Sequence, residues 1–138
     1  MIFSTFNKLV TAISADNCPI INLFMDWNPL YNDDFKAGDA NSAGGINSLW
    51  EAENEETPNP WARLIESGKK LQVLFLRASG LQDSDMNAIC NVLKTNGSLK
   101  VIDFSSNYSL TVNAINDIID VLGQNRVIEY LGLSKLSI

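Results

Sequence analysis

One apolar pattern recurs in step along this chain, and that recurrence limits the possible folds more than any single residue does. Leu71, Leu74 and Leu76 in LQVLFLRASGL return 28 positions later as Leu99, Ile102 and Phe104 in LKVIDFSSNYSL. They return again, 29 positions further on, as Ile128, Leu131 and Leu133. The additional residue has a visible home, because SSNYSL is one residue longer than RASGL between its strand and its closing leucine. Upstream, Ile20, Leu23, Met25, Asn28 and Leu30 fit the same frame. Each strand-like segment follows an apolar quartet at i, i+3, i+4 and i+7, the spacing that lines one face of an α-helix. The quartets are Phe6/Leu9/Val10/Ile13, Met86/Ile89/Cys90/Leu93 and Ile115/Ile118/Ile119/Leu122, with a weaker one at Pro58/Trp61/Ala62/Ile65. Asn59 is positioned as a helix cap, with Pro60 at the first helical position. A single helix–strand unit cannot bury its own apolar face, so such units stack into a continuous core with a parallel sheet on one side.

The pattern LxxLxLxxNxL, with a helix and a period near 28, resembles the ribonuclease-inhibitor class of leucine-rich repeats. That resemblance implies an α/β solenoid: a short right-handed horseshoe arc of about four strands, helices outside, spanning 1–138 as a single domain. It also implies an asparagine at a fixed place in each coil, bonding backbone groups of its neighbours. Asn28 and Asn107 fill that place, but Ser79 and Leu136 stand there in the other copies. Ser79 is expected to substitute in part and Leu136 not at all, which makes the ladder weak and the last copy irregular or terminal. The sequence ends at Ile138 on a strand, so the expectation is a longer repeat protein or a covered edge.

Leu71 lies 51 positions after Ile20, which leaves 23 beyond one period. The excess falls in an acidic insertion at about 31–60, where Asp33, Asp34, Asp39, Glu51, Glu53, Glu55 and Glu56 face one lysine, Lys36. A loop of this length is usually functional or disordered. Ile46, Leu49 and Trp50 inside it are at helical spacing. Two readings stand: a short helix packed back on the domain, or a docking element that meets a partner through Trp50.

Several function classes are excluded on composition. The net charge of −6 and pI of about 4.4 argue against nucleic acid and anionic membrane surfaces as partners. The chain has no histidine, which removes the usual catalytic triads and the commonest metal ligand. Cys18 and Cys90 are too far apart for a zinc motif, and a reducing, intracellular and cytoplasmic setting fits two cysteines. Cys90 belongs to a helix quartet and reads as a buried thiol. Lys69 and Lys70 follow Gly68, but Arg63 stands where a phosphate-binding loop needs glycine. They read as charges past a helix C-terminus. The sequons at Asn96 and Asn107 read as accidental. No enzyme, no cofactor and no metal are expected.

The residues alternating with the inward leucines face the concave side of such an arc. The frame puts Asn22, Val73, Val101 and Tyr130 in one row; Phe24, Phe75, Asp103 and Gly132 in the next; and Asp26, Arg77, Ser105 and Ser134 in the third. Trp27 lies just beyond. Phe24, Val73, Phe75, Val101 and Tyr130 make a mostly apolar patch, with Asp26, Asp103 and Arg77 to orient a partner. Either a protein partner covers this patch or the insertion does. The function this points to is a non-catalytic docking or scaffold subunit of a hetero-oligomeric intracellular assembly. By resemblance, cytoskeletal and ciliary settings come to mind. The alternative is a regulatory domain, GTPase-regulator-like or inhibitor-like, of a longer protein.

Overall fold

A computed structural model describes residues 1–30 and 59–138. The insertion from 31 to 58, Trp50 included, lies outside the described residues. Asn59 and Pro60 belong to the next coil rather than to the insertion. Four helix–strand units follow one another: α1 (Phe3–Ser14) and β1 (Asn22–Phe24), α2 (Pro60–Ser67) and β2 (Val73–Phe75), α3 (Asp83–Leu93) and β3 (Val101–Asp103), α4 (Val112–Gln124) and β4 (Tyr130–Gly132). The strands form one parallel sheet in chain order. Leu23, Leu74, Ile102 and Leu131 are paired side by side across it. The repeat frame and the register therefore agree at every strand, although an insertion separates the first two copies.

Each coil turns its corner at the same place. Trp27, Ala78, Ser106 and Lys135 all have positive φ, between 51° and 63°, and each precedes the asparagine position of its copy. A non-glycine residue in this left-handed region costs about 1–2 kcal/mol. Inter-coil hydrogen bonds hold it there. The amide N–H of Trp27 donates to Arg77 O at 2.8 Å, that of Ala78 to Ser105 O at 3.0 Å, and that of Ser106 to Ser134 O at 2.9 Å.

Asn107 is the strongest point of the ladder. Its Nδ2 donates to Leu76 O at 3.0 Å and Phe104 O at 2.6 Å. Its Oδ1 accepts from Ser79 N at 3.0 Å and Leu81 N at 3.1 Å. Ser79 substitutes in part, since its Oγ donates to Met25 O at 3.1 Å in the preceding coil. Among the described residues the Asn28 side chain reaches Asp26 O, within its own coil. Leu136 packs against the core instead. A second asparagine pair, not anticipated from the repeat, closes the helix-to-strand turns. Asn96 Oδ1 accepts from Ser98 N and Leu99 N, and Asn125 Oδ1 accepts from Val127 N and Ile128 N. Asn125 Nδ2 also reaches back to Leu93 O at 2.7 Å.

The helices agree with the expected faces of α1 and α3, and with that of α2 apart from Pro58, which lies outside the described residues; they correct that of α4. Phe6, Val10 and Ile13 of α1 are buried, and so are Met86, Ile89, Cys90 and Leu93 of α3. Asn59 caps α2 by accepting from Trp61 N and Ala62 N. Because α2 is packed between α1 and α3, it buries Leu64 as well as Trp61, Ala62 and Ile65. In α4 the buried set is Ala114, Ile118 and Val121, whereas Ile119 is 58% and Leu122 45% exposed. The cause is packing. Among the described residues α4 has a helical neighbour on one side only, α3, so the half of its apolar face turned from α3 stays open.

Two outcomes follow. Asn107→Ala leaves four backbone groups without partners in the interior, and is expected to lower stability by about 3–5 kcal/mol in urea melts. Asn28→Ala should cost under about 1 kcal/mol in the same assay. In α4, Ile118→Ala should cost about 2–4 kcal/mol and Ile119→Ala under about 1 kcal/mol. Equal losses at the two isoleucines would contradict the helix phase described.

Candidate protein-docking surface

The middle residue of each three-residue strand points into the core, so the flanking residues stand on the opposite, concave face. The first row is Asn22, Val73, Val101 and Tyr130. The second is Phe24, Phe75, Asp103 and Gly132. Phe24 is 59% exposed and Phe75 half-buried, and their rings meet edge to face with centroids 4.8 Å apart. Val73 and Val101 are half-buried beside them, and Tyr130 is exposed. Trp27 stands at the strand exit, 77% exposed. Its left-handed backbone is fixed from the next coil, so the indole is presented from a rigid corner.

Asp26 and Arg77 form one unit. Arg77 donates Nη2 and Nε to Asp26 Oδ2 at 2.6 and 3.0 Å, and its backbone N–H donates to Asp26 Oδ1 at 2.9 Å. That hydrogen bond, more than any other influence, raises the Arg77 pKa above its ordinary value. A solvent-exposed ion pair of this kind contributes little to stability. Its effect is positional: the guanidinium lies over the Phe75 ring, 4.9 Å from the centroid. Of the three charged residues expected to orient a partner, two are thus already bonded to each other.

Asp103 departs from expectation more sharply. It occupies its row but is buried, only 6% exposed. Its Oδ1 accepts the Ser105 N–H at 2.8 Å. The carboxylate can lie down because its neighbour across the sheet is Gly132. A Cβ at position 132 would fall 2.3 Å from Asp103 Cγ. Alternation puts Asp103 on the open face and says nothing of its burial. The glycine opposite it was the available signal. The third row continues as Ser105 and Ser134, whose backbone N–H donates to Ser105 Oγ at 2.9 Å.

The remaining sequence candidates are structural. Burial pushes the Cys90 thiol up to about 12, which keeps it protonated and unreactive. Lys69 and Lys70 follow the C-terminus of α2, and Lys70 Nζ donates to Asp16 O. Asn107 is buried and fully engaged, so that sequon has no accessible side chain. Among the described residues no group of three potential metal ligands occurs, and no helix is long and apolar enough to cross a membrane.

These features define a leucine-rich-repeat-like α/β coil with four parallel strands and four helices. Its fold is similar to that of the actin-binding site 2 of leiomodin-1, with a TM-score of 0.63 and 16% identity. The match covers 95% of this chain and 62% of that one, so this chain spans under two thirds of the leiomodin-1 structure's length. The tropomodulin C-terminal domain of Caenorhabditis elegans aligns at a TM-score of 0.48 and 10% identity, covering 94% and 82% of the two chains. No protein-family model and no curated protein sequence matches the chain.

The Asp103–Gly132 contact makes its own prediction. Gly132→Ala should destabilise the chain by about 1–3 kcal/mol, because the methyl group and the carboxylate cannot both keep their places. In an Asp103→Ala background the same substitution should cost markedly less, as coupled neighbours require. Equal costs in both backgrounds would separate the two residues.

Proposed function

We propose that this chain is a non-catalytic interaction module of the actin cytoskeleton, a repeat unit of the ribonuclease-inhibitor-like class within a larger intracellular, cytoplasmic assembly. The observation that carries this reading is the aromatic shelf on the open sheet. Phe24, Phe75, Trp27 and Tyr130 stand on rigid elements where an isolated soluble domain would present polar groups. Covering each such ring contributes about 1.5–3 kcal/mol, enough for a central hot spot. Val73 and Val101 extend the shelf. In this reading the single domain, 1–138, carries a second element for the partner in its acidic insertion at about 31–60, whose Trp50 lies outside the described residues.

Actin is the partner this reading favours, because the coil shares its fold with the actin-binding site 2 of leiomodin-1. A protein partner also suits the charge, since a chain of net charge −6 repels nucleic acid and anionic lipid. The chemistry of the face points away from catalysis. Among the described residues its ion pair is Asp26–Arg77, and the Cys90 thiol lies in the helical layer, buried and protonated.

The test is direct binding. The chain should cosediment with filamentous actin or shift the anisotropy of labelled monomeric actin, saturably. Phe75→Glu should weaken that binding by about a hundredfold or more, and Phe24→Ala by about tenfold, with thermal melts unchanged. Lys8→Ala, on the exposed side of α1, should bind as wild type does. A wild-type chain that binds neither form of actin removes actin as the partner.

A further inference from the structure

We propose that Asp103 is the receptor for a basic side chain of the docked protein, so that the bound segment carries a lysine or arginine close to a large apolar residue. The inference rests on the concave sheet being the docking face, but not on actin being the partner.

Asp103 is 6% exposed, and one hydrogen bond, from the Ser105 N–H to Oδ1, accounts for its polar contacts among the described residues. Its second oxygen has no hydrogen-bond partner there. The nearest cation on the face is Arg77, one strand away, and its Nη2 and Nε are both turned to Asp26 Oδ2. Its plane is stacked over Phe75. Asp26–Arg77 is the salt bridge found among the described residues. Asp103 is thus a mostly covered carboxylate with one oxygen free of protein partners among the described residues, and Arg77, the cation it influences electrostatically, is hydrogen-bonded to Asp26 instead. Its register neighbours are Phe75 on one side and Gly132 on the other, and Val101 stands two positions earlier on the same strand.

Gly132 gives the site its shape. With no side chain on the β4 position beside it, the carboxylate lies at the bottom of a step, below the exposed Tyr130. A long, narrow side chain with a terminal charge fits such a step; a short acidic or a bulky apolar one does not. A cation seated there pairs with the carboxylate beside the apolar shelf, where the contact is shielded from bulk water. The net charge of −6 favours approach by a basic segment.

The sheet also sets the spacing. Phe75 and Asp103 are register partners on adjacent strands, and adjacent strands lie about 4.8 Å apart. The Phe24–Phe75 shelf therefore begins one strand from the carboxylate. A bound helix would meet both with an apolar residue and a basic one three or four positions apart; a bound extended segment would use two positions.

The test is a selection with no assumed partner. A phage-displayed library of random dodecapeptides is panned against the folded chain and against Asp103→Asn. That variant retains the acceptor for Ser105 N–H, and a thermal melt checks its fold. The expected result is enrichment on the wild type of lysine or arginine two to four positions from Leu, Phe, Trp or Tyr, with the basic residue dropping out on the variant. A selected peptide should lose at least about tenfold in affinity when its basic residue becomes citrulline or glutamine. On Asp103→Asn the same peptide change should cost little, which isolates the pair. Because one arm of that cycle alters only the peptide, it stands even if the variant folds poorly. Peptides enriched without regard to charge, acidic peptides, equal losses on both chains, or no enrichment at all would each overturn the assignment. Failure to bind actin alongside basic–apolar selection removes the partner and keeps this site. Actin binding with charge-blind peptides does the reverse.

Discussion

The interior of this coil is held in register by the side chain of Asn107. One amide satisfies carbonyls on two coils and the N–H groups of Ser79 and Leu81 in the preceding coil. Strands of three residues have few ladder bonds of their own, so the loops that follow them must supply the rest. A backbone N–H or C=O buried without a partner would cost more than the turn gains. The left-handed residues at 27, 78, 106 and 135 belong to the same solution. They turn the chain at each strand exit, and the inter-coil bonds of Trp27, Ala78 and Ser106 offset the strain at three of the four.

That arrangement decides what the concave face can present. Inward positions are occupied by leucine-type residues at every coil, so most of the folding energy lies there and the outward positions have more freedom to vary. They vary in an ordered way. The first two strands carry aromatics, with the Asp26–Arg77 pair keeping Phe75 in place. In the same row the last two strands carry Asp103 and Gly132, followed past the strand ends by Ser105 and Ser134, while Val101 and Tyr130 stand in the row before. The face is therefore a raised aromatic shelf that descends to a step with a carboxylate at its floor.

Much of this was legible in the sequence because it rests on periodicity. The four strands, their order and every pairing follow from aligning Leu74 with Ile102 and Leu131, and the structure agrees to the residue. Asn59 as a cap follows from side-chain chemistry, whereas Ser79 as a partial replacement for asparagine follows from the leucine-rich-repeat resemblance. What escaped depends on neighbours. Ile119 and Leu122 have the spacing of core residues, yet burial requires a second helix beside α4, which periodicity cannot supply. The turn asparagines Asn96 and Asn125 sit 29 positions apart and each three before a core residue, so the period did contain them. They were hidden because Gly68 takes that place one coil earlier, where a side chain would run into Leu71.

Asp103 shows where one-dimensional reading stops. Alternation assigns its direction correctly, and direction normally means exposure on an open sheet. Here the neighbour across the strand is glycine, and the carboxylate falls into the space that neighbour leaves. Exposure on a parallel sheet is thus a property of a row, not of a residue. A polar side chain beside glycine can be buried on the open face, and a phenylalanine beside another phenylalanine can be lifted out of it. The same rule explains why the face is uneven enough to be selective. A flat apolar sheet would accept many partners, whereas a shelf beside a charged step accepts those whose own apolar and basic groups match its spacing.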